Sequence, residues 1–124
     1  MPNSTALKVT SAAWVIVSLG HTLKARDFMN VPQFKQLPRL VAACARAGWF
    51  QGSVFFLITA ILNYQWARSP QLLVDPVNKL IAALAAAVCL GSSTWYIREG
   101  DRSTGGFLGV VGVLQIWAAL WKET

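Results

Sequence analysis

His21, the one histidine of this 124-residue chain, is the side chain best suited to acid and base chemistry near neutral pH. It lies within a hydrophobic stretch, where an ionisable residue is costly and is often functional. We therefore name His21, assisted by Gln51, as the catalytic candidate of an enzyme that moves a proton on a lipid-soluble substrate. The alternative is that His21 only hydrogen-bonds a neighbouring hydroxyl or carbonyl group, and that Gln51 and Gln115 join helices by hydrogen bonds.

Polar and aromatic residues near the same ends of the hydrophobic stretches could line a shallow cavity around the histidine. The candidate substrate-binding residues are Trp49, Ser53, Ser92, Ser93, Thr94, Trp95 and Tyr96. Two acidic residues, Glu99 and Asp101, also fall at this end, beside Arg98 and Arg102. The set predicts a site for a lipophilic small molecule.

Four hydrophobic stretches must position these residues, at about 9–23, 40–66, 77–97 and 105–121. Hydrophobic residues make up 55% of the chain and charged residues 13%, whereas about a quarter of residues are charged in soluble domains. Roughly 20 helical residues cross a bilayer. The sequence thus predicts an all-α integral membrane bundle of four transmembrane helices, with residues 1–124 as a single domain. A compact soluble four-helix bundle is disfavoured because segments such as 54–58 and 81–88 have no polar face.

Short connections predict an antiparallel arrangement of these helices. Pro38 is expected to start the second helix, and Asp75 to cap the third with Pro76 at its first position. Residues 100–104 predict a tight turn between the third and fourth helices, which then form a hairpin. Small residues would allow close packing of that hairpin: Gly105, Gly109 and Gly112 on one side, and Ala82, Ala83, Ala86, Ala87 and Gly91 on the other.

The net charge is +6, and its cations lie beside the hydrophobic stretches. We interpret them as a signal of membrane topology rather than as a surface that binds nucleic acid. We call the connection between the first and second stretches loop 1, and that between the third and fourth loop 3. In or beside these two loops lie seven of the 11 cations: Lys24, Arg26, Lys35, Arg39, Arg46, Arg98 and Arg102. The N-terminal segment, loop 2 between the second and third stretches, and the C-terminal segment together carry four cations: Lys8, Arg68, Lys79 and Lys122. We expect loops 1 and 3 to be cytosolic, both termini to lie across the membrane, and loop 1 to rest on the headgroups. The inverted topology is the alternative.

Other residue patterns restrict the function further. Cys44 and Cys89 have no motif partner and are expected to be buried structural thiols, so we predict no metal and no cofactor. No nucleotide or phosphate motif occurs, no acidic residue is central in a span to couple transport, and the first helix is expected to be retained rather than cleaved. Interfacial aromatic residues are expected in two groups: Trp14, Tyr64, Trp66, Trp117 and Trp121 on one side, and Trp49, Trp95 and Tyr96 on the other.

Several short motifs follow one another in a distinctive order along most of the chain. They are WVIVS at 14–18, GHTL at 20–23, RD at 26–27, AR at 45–46 with Gly48 and Trp49, LG at 90–91 with Tyr96, and GFLG at 106–109. This order resembles that of the small four-helix scaffold family of ergosterol biosynthesis in the endoplasmic reticulum. The chain departs from the family pattern around residues 92–95, where a histidine and a glutamate are expected.

The resemblance implies a four-span, dimeric protein of the endoplasmic reticulum that gathers membrane-bound biosynthetic enzymes and transforms no sterol itself. We therefore predict a membrane scaffold that tethers enzymes acting on sterol or terpenoid-like lipophilic substrates. A diverged relative could serve another terpenoid or polyketide pathway. The alternative is a small membrane isomerase or cyclase in which His21 is the acid or base.

Overall fold

The computed structural model describes residues 2–121, and in this part of the chain every regular element is a helix. The elements are α1 (Ser4–Met29), α2 (Pro32–Lys35), α3 (Arg39–Arg68), a short 3-10 helix (Pro70–Val74), α4 (Pro76–Arg98) and α5 (Arg102–Ala119). The predicted all-α class is confirmed.

Three helices, α1, α3 and α4, are long and apolar enough to cross a membrane. Large hydrophobic side chains cover their outer faces, for example Ile16, Ile58 and Leu84, each more than half exposed. Lipid is the solvent in which such a surface is stable. The fourth predicted span corresponds to α5, which has 18 residues and is not among the three. At about 1.5 Å per residue, α5 is roughly 27 Å long, slightly short of a 30 Å hydrocarbon core.

Helix α1 extends further than the predicted span, through Lys24 to Met29. Asn3 caps its start, since the Asn3 side chain accepts hydrogen bonds from the backbone N–H groups of Thr5 and Ala6. The first connection, expected to begin at Lys24, therefore covers only residues 30–38 and contains α2. Its shortness places α3 directly beside α1.

The predicted helix starts at Pro38 and Pro76 are confirmed, and Asp75 occupies the predicted N-cap position of α4, but its side chain does not make a capping hydrogen bond. Pro38 immediately precedes α3, and Pro76 is the first residue of α4. The Asp75 side chain accepts a hydrogen bond from Asn78 Nδ2 at 2.9 Å instead of from a backbone amide. The Asn78 side chain competes successfully because it lies one turn away on the same face.

A ladder of serine hydroxyl groups joins α1 to α3. Ser4, Ser11 and Ser18 recur every seven residues, and they donate hydrogen bonds of 2.7, 2.7 and 2.8 Å to the carbonyl oxygens of Ala67, Ala60 and Ser53. The acceptors recur every seven residues in the opposite direction, so the two helices are antiparallel in one fixed register. A seven-residue period is the spacing at which one helix keeps the same face towards another.

Helices α4 and α5 form the predicted antiparallel hairpin, with glycine at their points of closest approach. A Cβ atom at Gly105 would lie 2.8 Å from the carbonyl oxygen of Ser93, and one at Gly109 would lie 2.9 Å from Ser93 Oγ. One at Gly112 would lie 2.9 Å from Leu90. Two of the small residues predicted on the facing helix, Ala87 and Gly91, are instead exposed, because they lie on the outer side of α4.

The two hairpins pack together through α1 and α5, and all four long helices contribute to the core. Leu7, Trp66, Ala82 and Ala118 lie at the end that holds the chain termini. A second cluster, nearer the middle, contains Trp14, Phe56, Cys89 and Val111, among others. Trp14 and Trp66 are 0% and 1% exposed, so their expected place in an interfacial aromatic belt is wrong. Each indole N–H donates a hydrogen bond to another side chain, which offsets the cost of burying the polar N–H group.

The two cysteines differ in their surroundings. Cys89 is buried in the central cluster, as predicted for a structural thiol. Cys44 is exposed, so its predicted burial is wrong. The reason is its position near the start of α3, on the side of that helix that faces away from α1.

Candidate functional site

A cavity of about 570 Å³ opens on the side of the bundle, between the last part of α1 and the α4–α5 hairpin. We call it the lateral cavity. Helix α1 lines it with Ile16, Val17, Gly20, His21, Leu23, Lys24 and Asp27; the other helices line it with Phe56, Ser92, Tyr96, Ser103, Thr104, Phe107 and Leu108. Its size is in the range of pockets that hold drug-sized molecules, about 300–1,000 Å³.

His21 lines the lateral cavity, but its imidazole ring is held by α3. His21 Nδ1 lies 2.9 Å from Ser53 Oγ, and the ring stacks on Trp49 with centroids 3.8 Å apart and planes 10° apart. Phe56 meets the ring edge-on at a centroid distance of 5.0 Å. A Cβ atom at Gly52 would lie 3.0 Å from His21 Cε1, so this glycine makes room for the ring. The histidine is thus oriented by four neighbours on one helix.

Hydroxyl groups extend the contact between His21 and Ser53. Thr22 Oγ1 lies 2.8 Å from both Ser53 Oγ and the carbonyl oxygen of Ser18. Trp49 Nε1 donates a 2.7 Å hydrogen bond to the carbonyl oxygen of His21. The predicted hydrogen bond from His21 to a neighbouring hydroxyl therefore exists, and two residues predicted to bind substrate, Trp49 and Ser53, serve as supports for the histidine.

Gln51, the predicted catalytic partner of His21, is not in the site. It is exposed and does not line the lateral cavity. Successive residues of an α-helix are about 100° apart, so Ser53 and Gln51 project in very different directions once Ser53 faces α1. The grouping of Gln51 with His21 is therefore wrong in this structure.

The five candidates on α4 separate in the same way. Ser92 and Tyr96, one turn apart, line the lateral cavity. Ser93 is buried and donates its hydroxyl to the carbonyl oxygen of Gly105, which closes the hairpin. Thr94 and Trp95 are exposed, and Trp95 is 72% exposed. Trp95 lies, with Glu99, at a second and smaller hollow on the outer face of α4.

An ion pair closes the end of the lateral cavity nearest the connections. Lys24 Nζ lies 2.9 Å from Asp101 Oδ2 and 3.3 Å from Thr104 Oγ1. Lys24 and Thr104 keep the Asp101 carboxylate charged by hydrogen bonding, so the pKa of Asp101 is well below its usual range. Asp101 also caps α5, because its side chain accepts a hydrogen bond from the backbone N–H of Thr104. The sequence analysis placed Asp101 at this end but did not anticipate Lys24 as its partner.

A second polar cluster, which was not predicted as a unit, lies in the core outside the lateral cavity. Gln115 Oε1 accepts hydrogen bonds from Trp14 Nε1 at 2.7 Å and Asn63 Nδ2 at 2.8 Å, and Gln115 Nε2 donates to Asn63 Oδ1 at 3.0 Å. All three residues are 0% exposed. The available signal was that Asn63 and Gln115 are amides within hydrophobic stretches, where an unpaired amide is costly.

The two groups of polar residues have different capacities. In the cluster of Trp14, Asn63 and Gln115, each side chain is hydrogen-bonded to another member, so the cluster has no group directed at a ligand. The lateral cavity is open to the side and presents polar groups on one wall and apolar groups on the rest. It is accordingly the candidate binding site. No family model, curated protein or solved structure significantly matches the chain.

Proposed function

We propose that this chain is a four-span membrane protein of the endoplasmic reticulum that holds a lipophilic molecule in the lateral cavity. The protein is a homodimer in that membrane, and it serves as a scaffold that tethers membrane-bound enzymes acting on sterol or terpenoid-like substrates. The observation that carries the proposal is the lateral cavity itself, an opening of about 570 Å³ whose walls are mostly apolar. A ligand reaches such an opening from the hydrocarbon layer without crossing water.

The proposal that α5 is a fourth span is supported by the apolar outer face of this helix. Phe107, Val110, Val113 and Trp117 are between 44% and 66% exposed along that face. Lipid would cover them if α5 crosses the membrane beside α4. The cytosolic placement of loops 1 and 3 rests on their excess of Lys and Arg, and the organelle and the scaffold role rest on the resemblance in motif order.

A non-catalytic role is favoured over catalysis by the state of His21. Stacking on Trp49 and the contact with Ser53 occupy the imidazole from the side of α3. Among residues 2–121 the hydrogen-bond partner of the imidazole ring is the Ser53 hydroxyl group, and the expected helper Gln51 points elsewhere. A residue held in this way joins helices and shapes a binding site.

Filling the cavity tests the binding proposal. Gly20 lines the lateral cavity, and a Cβ atom there would meet nothing within 4 Å, so the side chain of Gly20→Leu starts in open space and adds bulk to the cavity. We expect the variant to fold normally and to bind a lipophilic probe such as farnesol at least tenfold more weakly, measured by tryptophan fluorescence in phosphatidylcholine nanodiscs. Gly48→Leu is the matched control, because Gly48 also has open space around it but lies outside the cavity. Equal affinities of the two variants would contradict the proposal.

Copurification tests the scaffold role separately. The tagged chain, extracted from its native membranes in mild detergent, should recover enzymes that act on lipophilic substrates, in excess over a tagged membrane protein of similar size. Repeated recovery of the chain alone would contradict scaffolding and leave ligand binding unaffected.

The second candidate function is a membrane isomerase, favoured by one observation: the His21 ring lines the lateral cavity and is oriented by Ser53. His21 would remove a proton at one carbon of a bound terpenoid and return it at another, so no further reactant is needed. His21→Gln should then abolish conversion of a terpenoid while Ser53→Ala lowers kcat in part. Unchanged turnover in His21→Gln would exclude this site.

A further inference from the structure

The charged groups of the lateral cavity lie at one end, and the polar residues His21 and Ser92 lie between that end and the apolar end. Lys24, Asp27, Ser103 and Thr104 lie at the end nearest the connections, and Tyr96 adds a phenol. Ile16, Val17, Phe56 and Leu108 line the opposite end, towards the middle of the bundle. Lys24 and Asp27 lie in the charged last part of α1, whereas Ile16 lies in its apolar part. The cavity therefore has the polarity of one leaflet of a bilayer.

The one lysine at the polar end is already paired. The Lys24 ammonium group is used by Asp101, at 2.9 Å. The cavity lining itself carries one cation, Lys24, and one carboxylate, Asp27. An incoming carboxylate or phosphate would have to displace Asp101 from Lys24 to gain that cation. A hydroxyl group would meet hydrogen-bond donors and acceptors without that cost.

We propose that the lateral cavity binds a neutral lipid alcohol, with its hydroxyl group at Lys24, Asp27 and Thr104 and its hydrocarbon body directed towards Ile16 and Phe56. At about 1.5 Å per residue, the apolar wall from Lys24 to Ile16 is roughly 12 Å long, which suits a terpenoid or sterol alcohol body. This assignment rests on the proposed binding function and adds the class of ligand.

Two pairs of probes that share a hydrocarbon body test the assignment. Farnesol is compared with farnesyl diphosphate, and oleyl alcohol with oleic acid, by titration of the chain in phosphatidylcholine nanodiscs at pH 7.5. We expect each alcohol to bind at least tenfold more tightly than its anionic partner. Asp27→Asn removes one negative charge from the polar end but keeps a hydrogen-bonding side chain there, so it should tighten binding of the anionic probes several-fold and thereby reduce that preference. Glu99→Gln is the matched control, since Glu99 is an exposed acid at the same end but outside the lateral cavity.

The outcomes separate the two levels of the proposal. If the anionic probes bind as tightly as the alcohols, a lipophile site exists and the assignment to a neutral alcohol is wrong. If Glu99→Gln changes the preference as much as Asp27→Asn, general surface charge is responsible and the assignment is also wrong. If none of the four probes binds, the proposed binding function fails together with the assignment.

Discussion

Gln115 makes hydrogen bonds to residues of two other helices, and its position determines how α1, α3 and α5 meet. Its side chain oxygen accepts from both Trp14 and Asn63, which leaves no polar atom of the cluster without a partner. In hydrocarbon there is no water to replace a lost partner. The individual bonds are modest in membranes, averaging about 0.6 kcal/mol, so the larger effect comes from an amide left unpaired.

Replacement of Gln115 tests this cluster. Gln115→Leu leaves Trp14 Nε1 and Asn63 Oδ1 without their partners, while Asn63 Nδ2 still donates to the carbonyl oxygen of Thr59, and we expect a loss of about 1–3 kcal/mol in unfolding free energy. Asn63→Leu together with Gln115→Leu should lose less than the sum of the two single changes, because the paired amides are removed together. Unfolding in mixed micelles with increasing dodecyl sulfate measures all three. Strict additivity would mean that the two amides are not coupled.

The pH dependence of stability depends on Asp101. Its folded pKa is lowered, mainly by the Lys24 hydrogen bond, so the contribution is complete above the ordinary carboxyl pKa of about 4 and is lost as the pH falls below it. We expect Asp101→Asn to lower the Tm at pH 7 and at pH 5 by the same amount, and by less at pH 3. Glu99→Gln, at an exposed neighbouring acid, should change the Tm little. A constant difference down to pH 3 would contradict the assignment to the Asp101 carboxylate.

Some of the site could be read from residue types and some could not. Residue type alone identified His21, Ser53, Ser92 and Tyr96, because polar groups in hydrophobic stretches are few. It could not exclude Gln51, since the rotation of α3 about its axis is set by contacts with α1. On a helix that is apolar on every side, no hydrophobic face indicates which residues point inward.

At the scale of elements, the register between α1 and α3 follows from a serine repeat that is visible in the sequence of α1. The repeat can be recognised as a register only when the acceptor positions on α3 are known. Ser4, Ser11 and Ser18 repeat at seven residues, yet serine is also common on exposed helix faces. Only the matching positions on α3, Ala67 and Ala60 among them, turn the repeat into a ladder. The α4–α5 hairpin was easier to predict, because a five-residue polar turn joins two apolar helices and leaves one arrangement.

A pair of adjacent glycines tests the close packing of that hairpin. A Cβ atom at Gly105 would lie 2.5 Å from Ile97 Cγ1 and 2.8 Å from the backbone oxygen of Ser93, whereas one at Gly106 would meet nothing within 4 Å. We expect Gly105→Ala to cost about 1–3 kcal/mol by overpacking, since the backbone of α4 cannot move aside alone. Gly106→Ala should be neutral or stabilise the helix by up to about 1 kcal/mol. Dodecyl sulfate unfolding compares them, and equal effects would mean that α4 and α5 are not in close contact there.

At the scale of the whole molecule, the lateral cavity exists because two hairpins meet more closely at one end than at the other. Leu7 and Ala118 belong to a closed core near the termini, while Lys24 and Thr104 are bridged only by side-chain contacts. A lipophile would enter between α1 and α5, so the path of α5 through the membrane determines whether the opening faces lipid. Helix α5 begins at Arg102, has 18 residues and is not among the three helices that are long and apolar enough to cross a membrane.

The number of spans is tested by the side from which single cysteines react. In a Cys44→Ala and Cys89→Ala background, cysteines are placed at Gln71, between α3 and α4, at Arg102, before α5, and at Trp121, after it; all three positions are exposed. If α5 crosses the bilayer, a membrane-impermeant maleimide should label positions 71 and 121 from the same side and position 102 from the opposite side. If α5 lies along the surface, position 121 will be labelled with position 102, and the lateral cavity will then face the headgroups rather than the hydrocarbon. Labelling after detergent solubilisation controls for reactivity, since each cysteine must then react fully.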